Sequence, residues 1–243
     1  MNLLFVSLSL FLAAPFVQLR TPAAEQAKGR VVSPGAPGDS LRSNAARGAA
    51  TDDSASGRRA RRPRRPEYLG EVLRQRDSIV ERWPDRRRTP IRVWIQPAPT
   101  RRLAGWNPEF PASVRSAFVE WDRVGLPVHF AFVSDPASAD VKVRWLAHFD
   151  TDESGRTVWW SNSRSLITEA EITLATHASD GGVQDPKSLR AVALHEVGHL
   201  LGLDHSTDAA NVMAPWVQVA DLSAADRTTA RLLYELPPGK VRK

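Results

Sequence analysis

"HEVGHLLGLDHS", residues 195–206, sets three histidines, one glutamate and one glycine at fixed intervals in a stretch that otherwise reads as apolar helix. Positions four apart on an α-helix share a face. His195 and His199 therefore point the same way, one turn apart, and two neutral imidazoles at that spacing can hold one zinc ion. Glu196 sits beside His195, where it can reach a water on the metal without ligating it. Gly202 can adopt positive φ and reverse the chain, which lets His205 return toward the same metal. Three protein ligands plus one open position is the arrangement of a catalytic zinc. The alternative is a core helix that carries histidines by chance. On this composition Gly202 and His205 would both fall in place about once in 700. Three of the chain's six histidines lie in this stretch.

Working outward, Asp185-Pro186 supplies a cap and a first-turn proline, so the motif helix spans about 186–201 and Gly202 ends it. A further helix begins at Ser223, which pairs with Asp226 in a capping-box pattern before Leu232 and Leu233. Upstream, "EYLGEVLRQRDSIVERW" (67–83) places Leu69, Val72, Leu73, Ile79 and Val80 at near-helical spacing, with Pro84 as its stop. Asn107-Pro108 opens a helix with Val114, Phe118, Trp121 and Val124 on one stripe and Gly125 at its end. Strands are expected at 91–97, 127–133, 139–145, 156–161 and 170–176 from alternating or β-rich runs. The order predicts an α+β domain of about 170 residues, 67–236, followed by a short basic tail, 237–243.

The chain has 243 residues, net charge +6 and no cysteine, which excludes disulfides, thiolate metal sites and a cysteine nucleophile. The charge is uneven. Residues 1–66 hold 11 Arg/Lys against 4 Asp/Glu, and the remainder holds 22 against 23. The basic character belongs to an arm, so a specific nucleic-acid partner is not expected. "MNLLFVSLSLFLAAPFVQL" is too short to span a bilayer comfortably and reads as a signal peptide, 1–19, which implies a secreted or cell-envelope protein. Residues 20–66 are rich in Pro, Gly, Ala, Ser and Arg and are expected to be disordered. "RRARRPRRP" (58–66) reads as a solvated basic linker, with processing at the cluster or contact with an anionic surface as the alternatives.

HExxHxxGxxH resembles the signature of the metzincin zinc proteases. "NVMAPW" (211–216) resembles their Met-turn, which would put Met213 beneath the metal. Ser206 after the third histidine, "ADVKVRW" (139–145) and "LSAADRTTARLLYEL" (222–236) are similar to the matrixin branch, the peptidase family M10 type, in a bacterial-type form without a cysteine switch. The resemblance implies a metzincin-like domain with a five-stranded twisted mixed sheet, an active-site helix and a C-terminal helix. It implies a monomeric metalloendopeptidase acting on peptide or protein substrates, with zinc on His195, His199 and His205 and Glu196 as general base. An extended substrate would lie antiparallel to the edge strand near 156–161. A specificity pocket would be walled by Ala214, Pro215 and Trp216, with Leu194 on the helix side.

The departures are specific. No propeptide cysteine exists to block the zinc, so latency would need another ligand. Pro215 stands where some metzincins have a tyrosine. A second, structural zinc would have to use His148, Asp150 and His177, with no fourth ligand evident. "DTDESG" (150–155) resembles half of a calcium loop, but Ser161 occupies its twelfth position, so Ca2+ competes there with a plain solvated turn. His129 is expected to be a packed or surface strand residue. The rival functions are a narrow-substrate peptide amidase, a cell-surface binding module with a retained structural zinc, and a polyanion binder resting on 58–66.

Overall fold

The structure is a computed structural model that describes residues 28–32, 67–99 and 102–241. The expected signal peptide, and all of the 20–66 arm except 28–32, lie outside the described residues. In chain order the elements are β1 (Lys28–Val32), α1 (Leu69–Gln75), β2 (Ile79–Val80), β3 (Arg86–Ile95), α2 (Phe110–Asp122), β4 (Val128–Val133), a 3-10 turn (Pro136–Ser138), β5 (Val141–Leu146), β6 (Gly155–Ser161), β7 (Ile167–Ala175), α3 (Pro186–Leu200), α4 (Ala224–Glu235) and β8 (Gly239–Lys240). No helix among them is long and apolar enough to cross a membrane.

The expected five-stranded mixed sheet is present in the order β6-β7-β5-β3-β4. The β7-β5, β5-β3 and β3-β4 pairs are parallel, and β6 is antiparallel to β7. Side chains alternate across these strands as a half-buried sheet requires. Val141, Val143 and Trp145 of β5 face inward, as do Gly155, Thr157, Trp159 and Ser161 of β6. α3 packs against α2 on one side and against β6 and β7 on the other. Two buried tryptophans fix its backbone. Trp121 of α2 donates its indole N–H to the Leu194 carbonyl at 2.8 Å, and Trp83 donates to the Leu200 carbonyl at 3.0 Å. The second bond satisfies an acceptor that the helix end leaves without an intrahelical donor.

The caps fall where the sequence puts them. The Asp185 side chain accepts from the backbone of Lys187 and Ser188. Ser223 and Asp226 form the reciprocal capping box of α4.

Four expectations are corrected. The helix over 67–83 stops at Gln75, because Asp77 and Ser78 take φ of 52° and 60° and turn the chain into β2. β2 pairs antiparallel with β8, so the tail 237–243 is partly built into the domain. β3 starts well before residue 91 and accommodates Pro90 within a register shift between Arg86 and Ile91, the kind of position a strand proline tolerates. Finally, part of the arm expected to be disordered is a strand. β1 pairs antiparallel with β6, from Lys28 opposite Ser161 to Val32 opposite Thr157. The outer edge of β6 otherwise presents unpaired backbone groups, and these accept any extended segment of the chain.

Candidate metal centre

α3 carries His195, Glu196 and His199, all buried, and ends at Leu200. Gly202 then takes φ of 98°. A Cβ there would also overlap the Glu81 carbonyl oxygen, so the residue serves both the reversal and a close approach of backbones. The reversal brings His205 back. One ring nitrogen from each of His195, His199 and His205 lies within 4.8 Å of the other two. Among the described residues no other cluster of three or more His or acidic side chains converges this way.

The two rings on α3 are held from behind. His195 Nδ1 lies 2.8 Å from the Val212 carbonyl and His199 Nδ1 lies 3.1 Å from the Leu203 carbonyl. A carbonyl only accepts, so both Nδ1 atoms carry the proton and both Nε2 atoms carry the lone pair. Those two Nε2 atoms face each other at 2.9 Å. His205 Nε2 is buried beside them with no hydrogen-bond partner among the described residues. Burial pulls the His195 pKa down to about 4, reinforced by the nearby His205 and opposed by the bond to Val212. Burial also moves His199 well below the ordinary histidine value, and His205 is lowered mainly by burial as well. All three are therefore neutral donors at neutral pH.

Glu196 is oriented from β6. The Thr157 hydroxyl donates to Glu196 Oε2 at 2.6 Å and lies 3.0 Å from the carbonyl of the same residue. Burial pushes the Glu196 carboxyl up to about 8, with the Thr157 bond opposing. Gly155 lets β6 approach this closely, since a Cβ there would lie 2.6 Å from Glu196 Oε1.

Met213 is fully buried, and a Cβ on Gly198 would overlap its sulfur, so the methionine packs directly beneath the motif helix. Its turn is tied on both sides. Ser206 N–H donates to the Met213 carbonyl, Asn211 Nδ2 donates to Ser206 Oγ, and Ser223 Oγ donates to Asn211 Oδ1.

A cavity of about 620 Å³ opens beside His195 and Glu196. Pro215 and Trp216 line it, with Val192 and Lys187 of α3 and Gln184. Leu194 and Ala214 are not among its lining residues. Both are buried, Leu194 in the core.

No second ion site assembles among the described residues. His177 Nδ1 lies near the Ala147 carbonyl and the Thr176 hydroxyl rather than joining His148 and Asp150 in a cluster. In the calcium-like stretch Glu153 is buried and paired with Arg156 at 2.7 Å, and the acidic groups of 150–155 do not converge. His129 pairs with Asp122 at a half-exposed strand position.

Residues 100–235, more than half of the chain, match the family model described as Matrixin. The chain belongs to the matrixin family. This matrixin is 32% identical over 118 residues to Metalloendoproteinase 1-MMP of Arabidopsis thaliana, covering 42% of this chain and 30% of that protein. It is 29% identical over 147 residues to Matrix metalloproteinase-C of Caenorhabditis elegans, covering 51% and 24%. It is 34% identical over 95 residues to Metalloendoproteinase 1 of Glycine max, covering 37% and 26%. The alignments thus span about a quarter to a third of the length of these curated relatives. Thr157 and Gly155, which shape the matrixin's site behind Glu196, carry no mark in the sequence, and Asp226, legible there only as the capping-box partner of Ser223, also accepts from the Val212 backbone whose carbonyl holds His195.

Proposed function

We propose that this matrixin is a zinc-dependent metalloendopeptidase, and that His195, His199 and His205 are its zinc ligands. The observation that carries the reading is the convergence of three buried imidazole nitrogens, two of them forced by backbone carbonyls to present lone pairs to each other at 2.9 Å. Lone pairs so placed repel unless a cation lies between them. An all-imidazole set without thiolate or carboxylate suits zinc. Zinc held this way supplies Lewis acidity, which acidifies water and polarises a carbonyl.

The protein's own part in hydrolysis falls to Glu196. Its Oε2 is engaged by Thr157, which leaves Oε1 to take the proton from the water that attacks the peptide carbonyl. Glu196 then delivers that proton to the amine nitrogen as the C–N bond breaks. Met213 acts by packing under the ligand helix. Pro215 and Trp216 form one wall of the pocket for a substrate side chain. The substrate is an extended peptide or protein segment added to the outer edge of β6, and the pairing of Lys28–Val32 there supports an edge that accepts extended backbone. Export by residues 1–19, an arm over 20–66 and monomeric action belong to the same proposal.

Glu196→Ala tests it. Parent protein is expected to hold about one zinc per chain after dialysis, as a complete three-histidine site implies. The variant should keep its zinc and its melting temperature, because no ligand is lost. Its peptide hydrolysis should fall by roughly 10²–10⁴. Hydrolysis at the parent rate would remove Glu196 from the mechanism, and loss of zinc would make it a ligand.

A further inference from the structure

The chain between Gly202 and Ser206 has no helical or strand ladder to hold it, yet it must place His205 against two histidines fixed on α3. Besides the backbone bonds of Leu203 to Gly198 and of Ser206 to Met213, its supports come from α1 and its cap, which lie outside the stretch matched by the family model. Glu71 Oε2 accepts from Thr207 N–H at 2.8 Å. Gln75 Nε2 donates to the His205 carbonyl at 2.6 Å. Arg76, only 1% exposed, donates from Nη2 to the Leu203 carbonyl at 2.9 Å and from Nε to Asp204 Oδ2 at 3.2 Å.

Both acceptors of Arg76 already serve the histidines. The Leu203 carbonyl is the one that fixes His199 Nδ1, and Asp204 Oδ1 accepts from the His205 backbone N–H at 2.9 Å. The guanidinium also lies 4.8 Å from the ring centroid of Trp159 on β6, which sandwiches it between the sheet and the loop. One planar group thus connects the supports of two histidines. The first histidine is reached from the same segment. Tyr68 Oη donates to Asp226 Oδ1, Asp226 Oδ2 accepts from Val212 N–H, and the Val212 carbonyl holds His195.

We propose that Arg76 is a positioning residue of the metal centre, setting the place of His205 and the ring orientation of His199 through its bonds to Leu203 and Asp204. The inference rests on the zinc reading above. A buried ion pair is a weak source of net stability, because desolvation offsets most of its attraction. Its consequence here is geometric: the fork of the guanidinium binds a carbonyl and a carboxylate at once, which an ammonium cannot reproduce.

The test measures zinc dissociation into a chromophoric chelator, and the visible spectrum of the cobalt-substituted protein, for the full chain and for Arg76→Lys. Zinc should leave Arg76→Lys about 10–100 times faster, the usual consequence of losing a group that orients ligands, and the cobalt bands should shift. Arg92→Lys is the comparison. It weakens a different ion pair, Arg92–Asp140 at 2.8 Å on β3, and should lower the melting temperature without changing either readout. If Arg76→Lys does not fold, Gln75→Ala removes one bond to the His205 carbonyl from an exposed side chain. It should speed zinc loss roughly two- to tenfold, one net hydrogen bond converted to a rate. Parent dissociation rates and parent cobalt spectra in whichever of these variants folds would overturn the positioning role. A parent protein that binds no zinc would instead overturn the zinc reading, and this inference with it.

Discussion

Gly155→Ala asks whether the position of the Glu196 carboxylate, and not merely its presence, sets the rate. A Cβ at residue 155 would lie 2.6 Å from Glu196 Oε1, 2.8 Å from its Cγ and 2.8 Å from Val192 Cγ1. Ordinary contact begins at 3.4 Å, so about 0.8 Å must be given up at Oε1. The strand cannot easily retreat, because Gly155 is paired with Leu174 on β7 and the preceding Ser154 carbonyl accepts from Ala175. The displacement therefore falls on Glu196 and strains its bond to Thr157. Overpacking of this kind costs about 1–3 kcal/mol. In a domain of this size that lowers the melting temperature by roughly 2–12 °C. A misplacement near 1 Å costs about 10²-fold in rate, so kcat/KM should fall by about 10- to 100-fold. Zinc content should not change. Gly125→Ala separates the two effects. Gly125 has φ of 79° with open space around it, so alanine there adds about 1–2 kcal/mol of backbone strain without its Cβ touching Glu196. It should lower the melting temperature and leave kcat/KM alone. Parent-level hydrolysis by Gly155→Ala, in a protein whose melting temperature has dropped, would refute the link between the β6 approach and the general base.

Two further outcomes follow from the packing. Gly198→Ala should lower the melting temperature even though alanine is favoured over glycine within a helix by about 1 kcal/mol; the new Cβ overlaps the buried Met213 sulfur, and a higher melting temperature on calorimetry would show that Met213 is free to move. Protein lacking residues 1–66 should still unfold cooperatively and retain zinc, because the core seen among the described residues is built from Tyr68 onward; it should cleave added peptides at least as fast as the full chain, since the β6 edge loses its Lys28–Val32 partner, and slower cleavage would count against that edge as the substrate rail.

What the sequence makes legible is what the helix makes periodic. His195 and His199 are four residues apart because one turn of α3 must place them on one face, and Asp185 and Ser223 announce their helices because orphan N–H groups need an acceptor within three residues. The misreadings have a common physical source. Ile79 and Val80 continue a helical spacing, but the turn is decided by positive φ at Asp77 and Ser78 and by pairing with Gly239 and Lys240, some 160 positions away. The suggestive spacing of His148 and Asp150 likewise gathers no site, since His177 Nδ1 lies against the Ala147 carbonyl and no such cluster forms among the described residues.

The third histidine shows both sides of this limit. Gly202 and His205 are visible because a helix end followed by a reversal is a local event with a fixed length. The precision of that reversal is not local. Arg76 and Asp204 meet across 128 positions, and Tyr68 reaches Asp226 across 158. No spacing rule connects such pairs, because nothing in the backbone between them constrains their separation. A motif can therefore state which atoms bind a metal while remaining silent about what holds them still. In this chain the silent part is concentrated in one short helix and its cap, where Arg76, which no motif marks, is among the most deeply buried large side chains of the domain.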